Sequence, residues 1–89
     1  MIERSIAIKN KLGLHARAAV KFVNTANRFG ADVRIEKDGG VIDGKSILGI
    51  LTLAATQGSE IVLKIEGADE EAAWKALSEL IGQRFGEKE

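Results

Sequence analysis

The 89-residue sequence contains no cysteine, no proline, no tyrosine and a single histidine. The absence of cysteine excludes disulfides, thiolate zinc sites and thiol nucleophiles, and one imidazole is a poor ligand set for any other metal. No apolar run approaches the ~18 residues that span a bilayer, and the first residues lack the basic start and long apolar core of a signal peptide. We therefore expect a soluble, cytoplasmic protein with no metal site and no membrane insertion.

The net charge is also zero, with 13 basic and 13 acidic residues. This balance argues against a nucleic-acid partner, because such binders need a positive excess to displace counterions. The charges are unevenly placed, however: residues 1–30 hold six basic residues against one acid, and residues 69–89 hold six acids against three basic residues. A basic N-terminal region suits an anionic ligand or an acidic protein surface. The length is below the usual ~100–150 residues, so residues 1–89 are predicted to form a single domain without a deep catalytic cavity.

Hydrophobic patterning predicts four strands and three helices. Alternating apolar and polar residues predict strands at 5–9, 31–37, 41–42 and 60–66, with a tight hairpin turn at 38–40. Helical spacing of apolar residues predicts helices at 16–29, closed by Gly30, and after Asp69, which is predicted to cap that last helix. Ser46 as an N-cap favours a short helix over 47–55, and residues 86–89 are predicted to fray.

The resulting order is βαββαβα. Because each strand alternates, one face of the sheet should be polar and open to water, and the helices should cover the other face. The fold class is therefore predicted to be α+β, an open-faced β-sandwich with a four-stranded antiparallel sheet covered on one face by three helices.

The single histidine, His15, lies where a glycine-containing loop meets the first predicted helix. On position alone, an exposed histidine acting as a weak N-cap is an equally good interpretation. The unpaired amides of Ala16 and Arg17 at a helix N-terminus, together with the Arg17 guanidinium, favour an anion beside the ring. The positive end of the helix dipole disfavours an imidazolium, so we expect a largely neutral ring that can attack phosphorus. These features indicate a histidine that carries a phosphoryl group.

Two motifs carry a resemblance to a known family. They are GLHARAAVKFV at residues 13–23 and GKSILGIL at residues 44–51. In this order and spacing they resemble HPr, the phosphocarrier family of the phosphoenolpyruvate-dependent sugar phosphotransferase system, over essentially the whole chain. One departure is Ala18, where the family usually has proline. Alanine restores an amide donor in the first helical turn and leaves the unfolded chain less restricted.

The resemblance implies that His15 takes a phosphoryl group from phospho-enzyme I on Nδ1 and passes it to a histidine of an enzyme IIA domain. The Ala16 amide and the Arg17 guanidinium match the positions that bind the phosphate. The resemblance implies no metal or cofactor, and a phosphoryl donor that is consumed and regenerated, not a stand-alone enzyme.

Two alternatives remain open at this point. The first is a regulatory module that signals through its phosphorylation state, in a nitrogen-related or incomplete phosphotransferase system. The second is a small-ligand-binding α+β domain, which leaves His15 and Arg17 unexplained.

A second phosphorylation site is implied at Ser46, where many HPr proteins are modified by an ATP-dependent HPr kinase/phosphorylase. This role is compatible with the N-cap, because a phosphate is favourable at a helix N-terminus. Most of the apolar stripe after Ser46 is predicted core, but a helix this short cannot bury it all. An exposed docking patch with a basic rim is therefore predicted, and the resemblance places it near His15 and in contact with partners. The chain is expected to be a monomer. The patch and its rim comprise Ile47, Leu48, Leu51, Lys21 and Lys45.

Overall fold

The computed structural model describes residues 1–89 and confirms the predicted order of strands and helices. The strands are β1 (Ile2–Ala7), β2 (Asp32–Lys37), β3 (Gly40–Asp43) and β4 (Glu60–Glu66). The helices are α1 (Ala16–Ala26), α2 (Ile47–Leu53) and α3 (Glu70–Gly82), followed by a short 3₁₀ turn at Arg84–Gly86. All strand pairs are antiparallel, in the order β1-β4-β2-β3. The predicted open-faced α+β fold is confirmed.

Buried and more exposed side chains alternate along β4 and define the two faces of the sheet. Ile61, Leu63 and Ile65 are fully buried in the core, whereas Lys64 on the opposite face pairs with Glu36 of β2 at 2.6 Å. The core also receives the predicted stripe of α1. The buried residues of α1 are Ala18, Ala19, Phe22, Val23 and Ala26.

Three predicted elements have boundaries that are wrong by a few residues, and β1, predicted over 5–9, ends at Ala7. β1 begins at Ile2, three residues before the predicted start, because Arg4 interrupts the apolar period on the helix-covered face. Arg4 is accommodated there by stacking its guanidinium over the Trp74 ring, 5.2 Å from the centroid. α1 ends at Ala26 with Asn27 as its C-cap, so Phe29 lies beyond the helix and Gly30 does not cap it. α2 ends at Leu53, two residues before the predicted end at 55.

Asp69 does not cap α3, so that prediction is also wrong. Its carboxylate instead accepts hydrogen bonds from the backbone amides of Gly30 and Ala31, both at 2.9 Å. The Gly30 hydrogen bond is the largest cause of a lowered pKa at Asp69, and the Ala31 bond adds to it against the opposing effect of desolvation. Asp69 thus joins the start of α3 to the segment between α1 and β2.

The C-terminal residues do not fray, contrary to the prediction for 86–89. Arg84, Phe85 and Gly86 adopt positive φ values of 57°, 56° and 79°, which form a left-handed turn after α3. Phe85 is 1% exposed in the core, and its carbonyl accepts a hydrogen bond from Lys21 Nζ at 2.6 Å. The chain then returns towards His15, where the Lys11 amide donates to the main-chain oxygen of Glu89. We call residues 87–89 the C-terminal segment.

Candidate functional site

His15 is placed by a tightly constrained loop between β1 and α1. Gly13 has a φ of +67°, and a Cβ at this position would collide with the carbonyl oxygen of Ala55. The next residue, Leu14, is 4% exposed, and its amide donates to the same Ala55 carbonyl at 2.9 Å. With Leu14 in the core, His15 occupies the N-cap of α1 in an extended conformation, with φ −75° and ψ 178°.

The two ring nitrogens of His15 have different partners. Nδ1 accepts a hydrogen bond from the Arg17 amide at 3.2 Å, whereas Nε2 contacts the Glu87 carboxylate. Because a backbone amide can only donate, Nδ1 must carry a lone pair, and the ring proton belongs on Nε2. The side chain is 26% exposed, so the ring is not enclosed in the core.

The helix N-terminus beside the ring retains free donors. The amides of Ala16 and Ala18 make no hydrogen bond within the protein, and the Arg17 guanidinium forms no ion pair. The Arg17 amide is already engaged, but its acceptor is the Nδ1 atom itself. The predicted residues His15, Ala16 and Arg17 are therefore brought together around one nitrogen of the ring.

Glu87 is a site residue that the sequence analysis missed. Its carboxylate accepts from His15 Nε2 at one oxygen and from Asn10 Nδ2 at the other, at 3.0 Å. Desolvation raises the pKa of Glu87, but the hydrogen bonds from His15 and Asn10 outweigh it, so the net pKa is lowered. Glu87 therefore places an ionised carboxylate against the ring. The expectation of a largely neutral ring considered only the helix dipole and did not include this negative charge.

Asn10 was also missed, and it connects the loop to the C-terminal segment. Its side chain is fully buried, and Nδ2 donates to the Gly13 carbonyl at 2.7 Å as well as to Glu87. The amide cannot be flipped, because both neighbours are acceptors and would then face Oδ1. No sequence signal identifies either residue, since Asn10 is an ordinary loop residue and Glu87 is 72 positions from His15.

An open depression lies beside the ring. It is lined by His15, Ala16, Arg17, Lys11, Leu12, Glu87 and Glu89. Lys11 Nζ lies 3.4 Å from the Glu89 carboxylate, so one of the two cations here is paired with the C-terminal segment. The Arg17 guanidinium is therefore the unpaired cation of the depression.

The two lysines predicted at the docking rim both contact backbone carbonyls. Lys21 Nζ donates to Phe85, and Lys45 Nζ donates to Phe29 at 2.8 Å. Both side chains are partly buried, with their ammonium groups fixed near the ends of other elements. Contact of Lys21 and Lys45 with a partner remains a prediction.

Ser46 is confirmed as the N-cap of α2, since its Oγ accepts from the Gly49 amide at 3.0 Å. The apolar residues of the predicted patch are exposed, to 38% at Ile47, 76% at Leu48 and 37% at Leu51. Leu12, 67% exposed in the His15 loop, is a further exposed apolar residue that the sequence analysis did not single out.

Replacing Ser46 with alanine is expected to lower the free energy of unfolding by about 1 kcal/mol, because the Gly49 amide loses its acceptor. Urea denaturation measures the change. Ser78→Ala is the control, since the Ser78 hydroxyl only donates to the Lys75 carbonyl within α3 and its loss should cost less than about 0.5 kcal/mol. Equal losses in the two variants would contradict a capping role.

Replacing Ala18 with proline is expected to raise the free energy of unfolding by no more than about 1 kcal/mol, because its amide has no acceptor to lose and the unfolded chain is stiffened. Ala19→Pro is the matched control: the Ala19 amide donates to the His15 carbonyl at 2.9 Å, so this variant should lose about 3 kcal/mol. Phosphorylation of His15 should survive in Ala18→Pro, and its loss there would contradict this description of the loop.

The structure contains no helix long and apolar enough to cross a membrane. It also contains no group of three or more histidine, aspartate or glutamate side chains arranged to hold a metal ion.

Comparisons with known proteins agree on one family. The family model described as "PTS HPr component phosphorylation site" matches residues 2–83. The phosphocarrier protein HPr of Neisseria meningitidis serogroup A is 49% identical over 89 residues, covering 100% of both chains. The HPr-like protein Crh of Halalkalibacterium halodurans is 48% identical over 77 residues, covering 86% of this chain and 92% of the relative. Among solved structures, HPr from Thermoanaerobacter tengcongensis matches with a TM-score of 0.96 and 49% identity over 100% of both chains.

Proposed function

The chain belongs to the HPr family of phosphocarrier proteins of the phosphotransferase system, and from this premise we propose that His15 accepts a phosphoryl group from phospho-enzyme I and passes it to a histidine of an enzyme IIA domain. The observation that carries the proposal is the orientation of the ring. Nδ1 faces the N-terminus of α1, where the amides of Ala16 and Ala18 are free and Arg17 supplies both an amide and a guanidinium.

These groups fit the chemistry of phosphoryl transfer. The Nδ1 lone pair forms an N–P bond while the N–P bond of the donor histidine breaks, and the phosphoryl oxygens carry negative charge throughout. The Arg17 amide, which donates to Nδ1 before transfer, becomes available for a phosphoryl oxygen once that lone pair is used. Fixed donors beside the acceptor atom stabilise this charge without reorganising during the reaction.

The proposal is tested with phosphoenolpyruvate and enzyme I. The parent protein should gain one acid-labile, base-stable phosphate, and His15→Ala should gain none. Ser46→Ala is the matched control and should be labelled like the parent. An unlabelled parent protein, or a label mapped by mass spectrometry to any residue other than His15, would contradict the proposal.

The docking patch of Ile47, Leu48 and Leu51 is proposed to contact both partners. Leu48 is the most exposed of the three, so it contributes least to the core and most to a surface. Leu48→Ser should raise the KM for transfer while leaving the free energy of unfolding nearly unchanged. Val41→Ser, which removes an exposed apolar side chain from β3, is the control and should transfer normally.

Ser46 is proposed to be the regulatory site, modified by an HPr kinase/phosphorylase. A phosphate there adds about two negative charges at the N-terminus of α2, next to the proposed docking patch, and would repel an acidic partner. Ser46→Asp should therefore accept phosphoryl groups from enzyme I more slowly than the parent, with Ser78→Asp on α3 as the charge-matched control. Equal rates in Ser46→Asp and the parent would contradict the electrostatic explanation.

The similarity to the HPr-like protein Crh favours a second candidate, a regulatory module without a direct role in sugar transport. The two candidates differ in the second transfer. A carrier passes its phosphate on when a panel of enzyme IIA domains is added to the phosphorylated protein, whereas a purely regulatory module retains it.

A further inference from the structure

We propose that Glu87 is a positioning residue that holds the His15 ring in the tautomer with its proton on Nε2, which leaves Nδ1 as the nucleophile. This inference deepens the proposed function and rests on it for its catalytic consequence. The juxtaposition that carries it is a chain of three side chains, Asn10, Glu87 and His15, in which each is oriented by the one before.

The orientation begins at Asn10. Its Nδ2 group donates to the Gly13 carbonyl and to one carboxylate oxygen of Glu87, which leaves the other oxygen directed at His15 Nε2. Asn10 is fully buried and the Glu87 side chain is 17% exposed, so these bonds meet little competition from water. A carboxylate can only accept, and it therefore selects the ring tautomer that donates from Nε2.

Contacts on both sides of Glu87 hold it in place. On one side, Phe85 is buried in the core and Lys21 binds its carbonyl. On the other side, the Lys11 amide donates to the main-chain oxygen of Glu89. A polar segment of this kind has no apolar surface of its own to bury, so its position depends on these contacts and on the bonds of Glu87 itself.

The tautomer matters because only a nitrogen with a lone pair can attack phosphorus. When Nδ1 forms the N–P bond, Nε2 retains its proton and the ring gains a positive charge. The Glu87 carboxylate lies against Nε2 and offsets that charge, while the Arg17 amide lies at Nδ1, where the phosphoryl group would bind. When the phosphoryl group leaves, the electron pair of the N–P bond returns to Nδ1 and the ring is neutral again.

Glu87→Gln tests the proposal in the unphosphorylated full-length protein. Glutamine has nearly the same shape but offers one acceptor oxygen, and two donors point at this position. Nitrogen-15 NMR of the His15 ring should show mainly the Nε2–H tautomer in the parent and a clear loss of that preference in Glu87→Gln. Glu79→Gln removes an exposed carboxylate of α3 that does not line the depression, and this control should behave like the parent. An unchanged tautomer in Glu87→Gln, or a parent ring protonated mainly on Nδ1, would overturn the proposal whether or not the C-terminal segment stays docked.

Transfer from phospho-enzyme I supplies the second readout. Glu87→Gln should lower kcat/KM by about tenfold, the lower end of the loss seen when the hydrogen-bond partner that orients a metal-ligating histidine is removed. Glu79→Gln, on α3 and outside the depression, should transfer at the parent rate. If the parent is not phosphorylated at all, the proposed function fails while the tautomer measurement still decides the role of Glu87. If the tautomer changes and kcat/KM does not, the positioning role in transfer is wrong.

Discussion

Replacing Phe85 with alanine is expected to lower the free energy of unfolding by about 3–5 kcal/mol and to release the C-terminal segment from His15. The loss follows from deleting a ring that is 1% exposed in the core, which leaves a cavity that the surrounding residues fill only in part. The ring also holds a turn in which Arg84 and Phe85 both have positive φ, a conformation that costs about 1–2 kcal/mol for a residue with a side chain. Without the ring, little remains to offset that cost.

Two measurements check this prediction. Urea denaturation gives the free energy of unfolding. Hydrogen exchange at the Lys11 amide, which donates to the main-chain oxygen of Glu89, reports release of the C-terminal segment. Arg84→Ala is the control, because it occupies the same left-handed turn but is exposed, and its guanidinium makes only a 3.5 Å hydrogen bond to the Lys88 carbonyl. A similar loss in both variants, or an undisturbed Lys11 amide in Phe85→Ala, would contradict the anchoring role of the ring.

The parts of the fold that could be predicted from sequence are those that depend on local patterns. α1 and β4 each bury one face. The helical spacing of apolar residues in α1 and the alternation of apolar and polar residues in β4 are enough to identify the buried face. The hairpin between β2 and β3 was predictable for a similar reason, since Asp38 and Gly39 adopt the positive φ values of 52° and 84° that such turns require.

The predictions that were wrong involve polar residues whose partners are distant in sequence. Asp69 has the right residue type and position for a cap, but the amides of Gly30 and Ala31 capture its carboxylate. Arg4 interrupts the apolar period of β1 and is stabilised by Trp74, 70 positions away, which no local pattern indicates. In both cases tertiary contacts override a correct local preference.

The candidate site divides in the same way. The predicted half, comprising His15, Ala16 and Arg17, follows from a helix N-terminus and three consecutive residues. The unpredicted half, comprising Asn10 and Glu87, requires the chain to return after α3, and the polar composition of the C-terminal segment predicts fraying. The anchor that prevents fraying is Phe85, which lies just before that segment and outside the periodic stripe of α3.

The C-terminal segment changes the electrostatic description of the site. The sequence places six basic residues against one acid in residues 1–30, which predicts a positive surface around His15. The structure adds the carboxylates of Glu87 and Glu89 to the same depression, and Glu89 pairs with Lys11. The Arg17 guanidinium is therefore the one cation of this depression without a carboxylate partner, and the Arg17 amide is the group that contacts Nδ1.

Replacing Asn10 with aspartate is expected to lower the free energy of unfolding at pH 7 by about 3 kcal/mol or more, although the two side chains have nearly the same shape. The change removes both donors of Nδ2 and directs a carboxylate oxygen at the Gly13 carbonyl and at the Glu87 carboxylate, 2.7 Å and 3.0 Å from the present nitrogen. The position is fully buried, so the new charge is desolvated and faces two acceptors, neither of which can donate a hydrogen bond to it. Asn24→Asp, at an exposed position of α1, is the isosteric control and should change stability by less than about 0.5 kcal/mol.

The loss in Asn10→Asp should also depend on pH. Burial and the neighbouring carboxylate both favour the protonated acid in the folded state, so its pKa should lie above the value of about 3.9 for an unfolded chain. Because the folded-state pKa is raised, the ionised aspartate destabilises the folded protein fully at pH values above that pKa. This electrostatic destabilisation decreases as the pH falls through the folded-state pKa and disappears towards about pH 4. Urea denaturation between pH 7 and pH 4 should therefore show that the free energies of unfolding of variant and parent come closer as the pH falls. A smaller difference should persist at pH 4, because the protonated acid has one donor where Asn10 has two. A difference that is small at pH 7, or that stays constant with pH, would contradict the placement of the Asn10 amide between two acceptors.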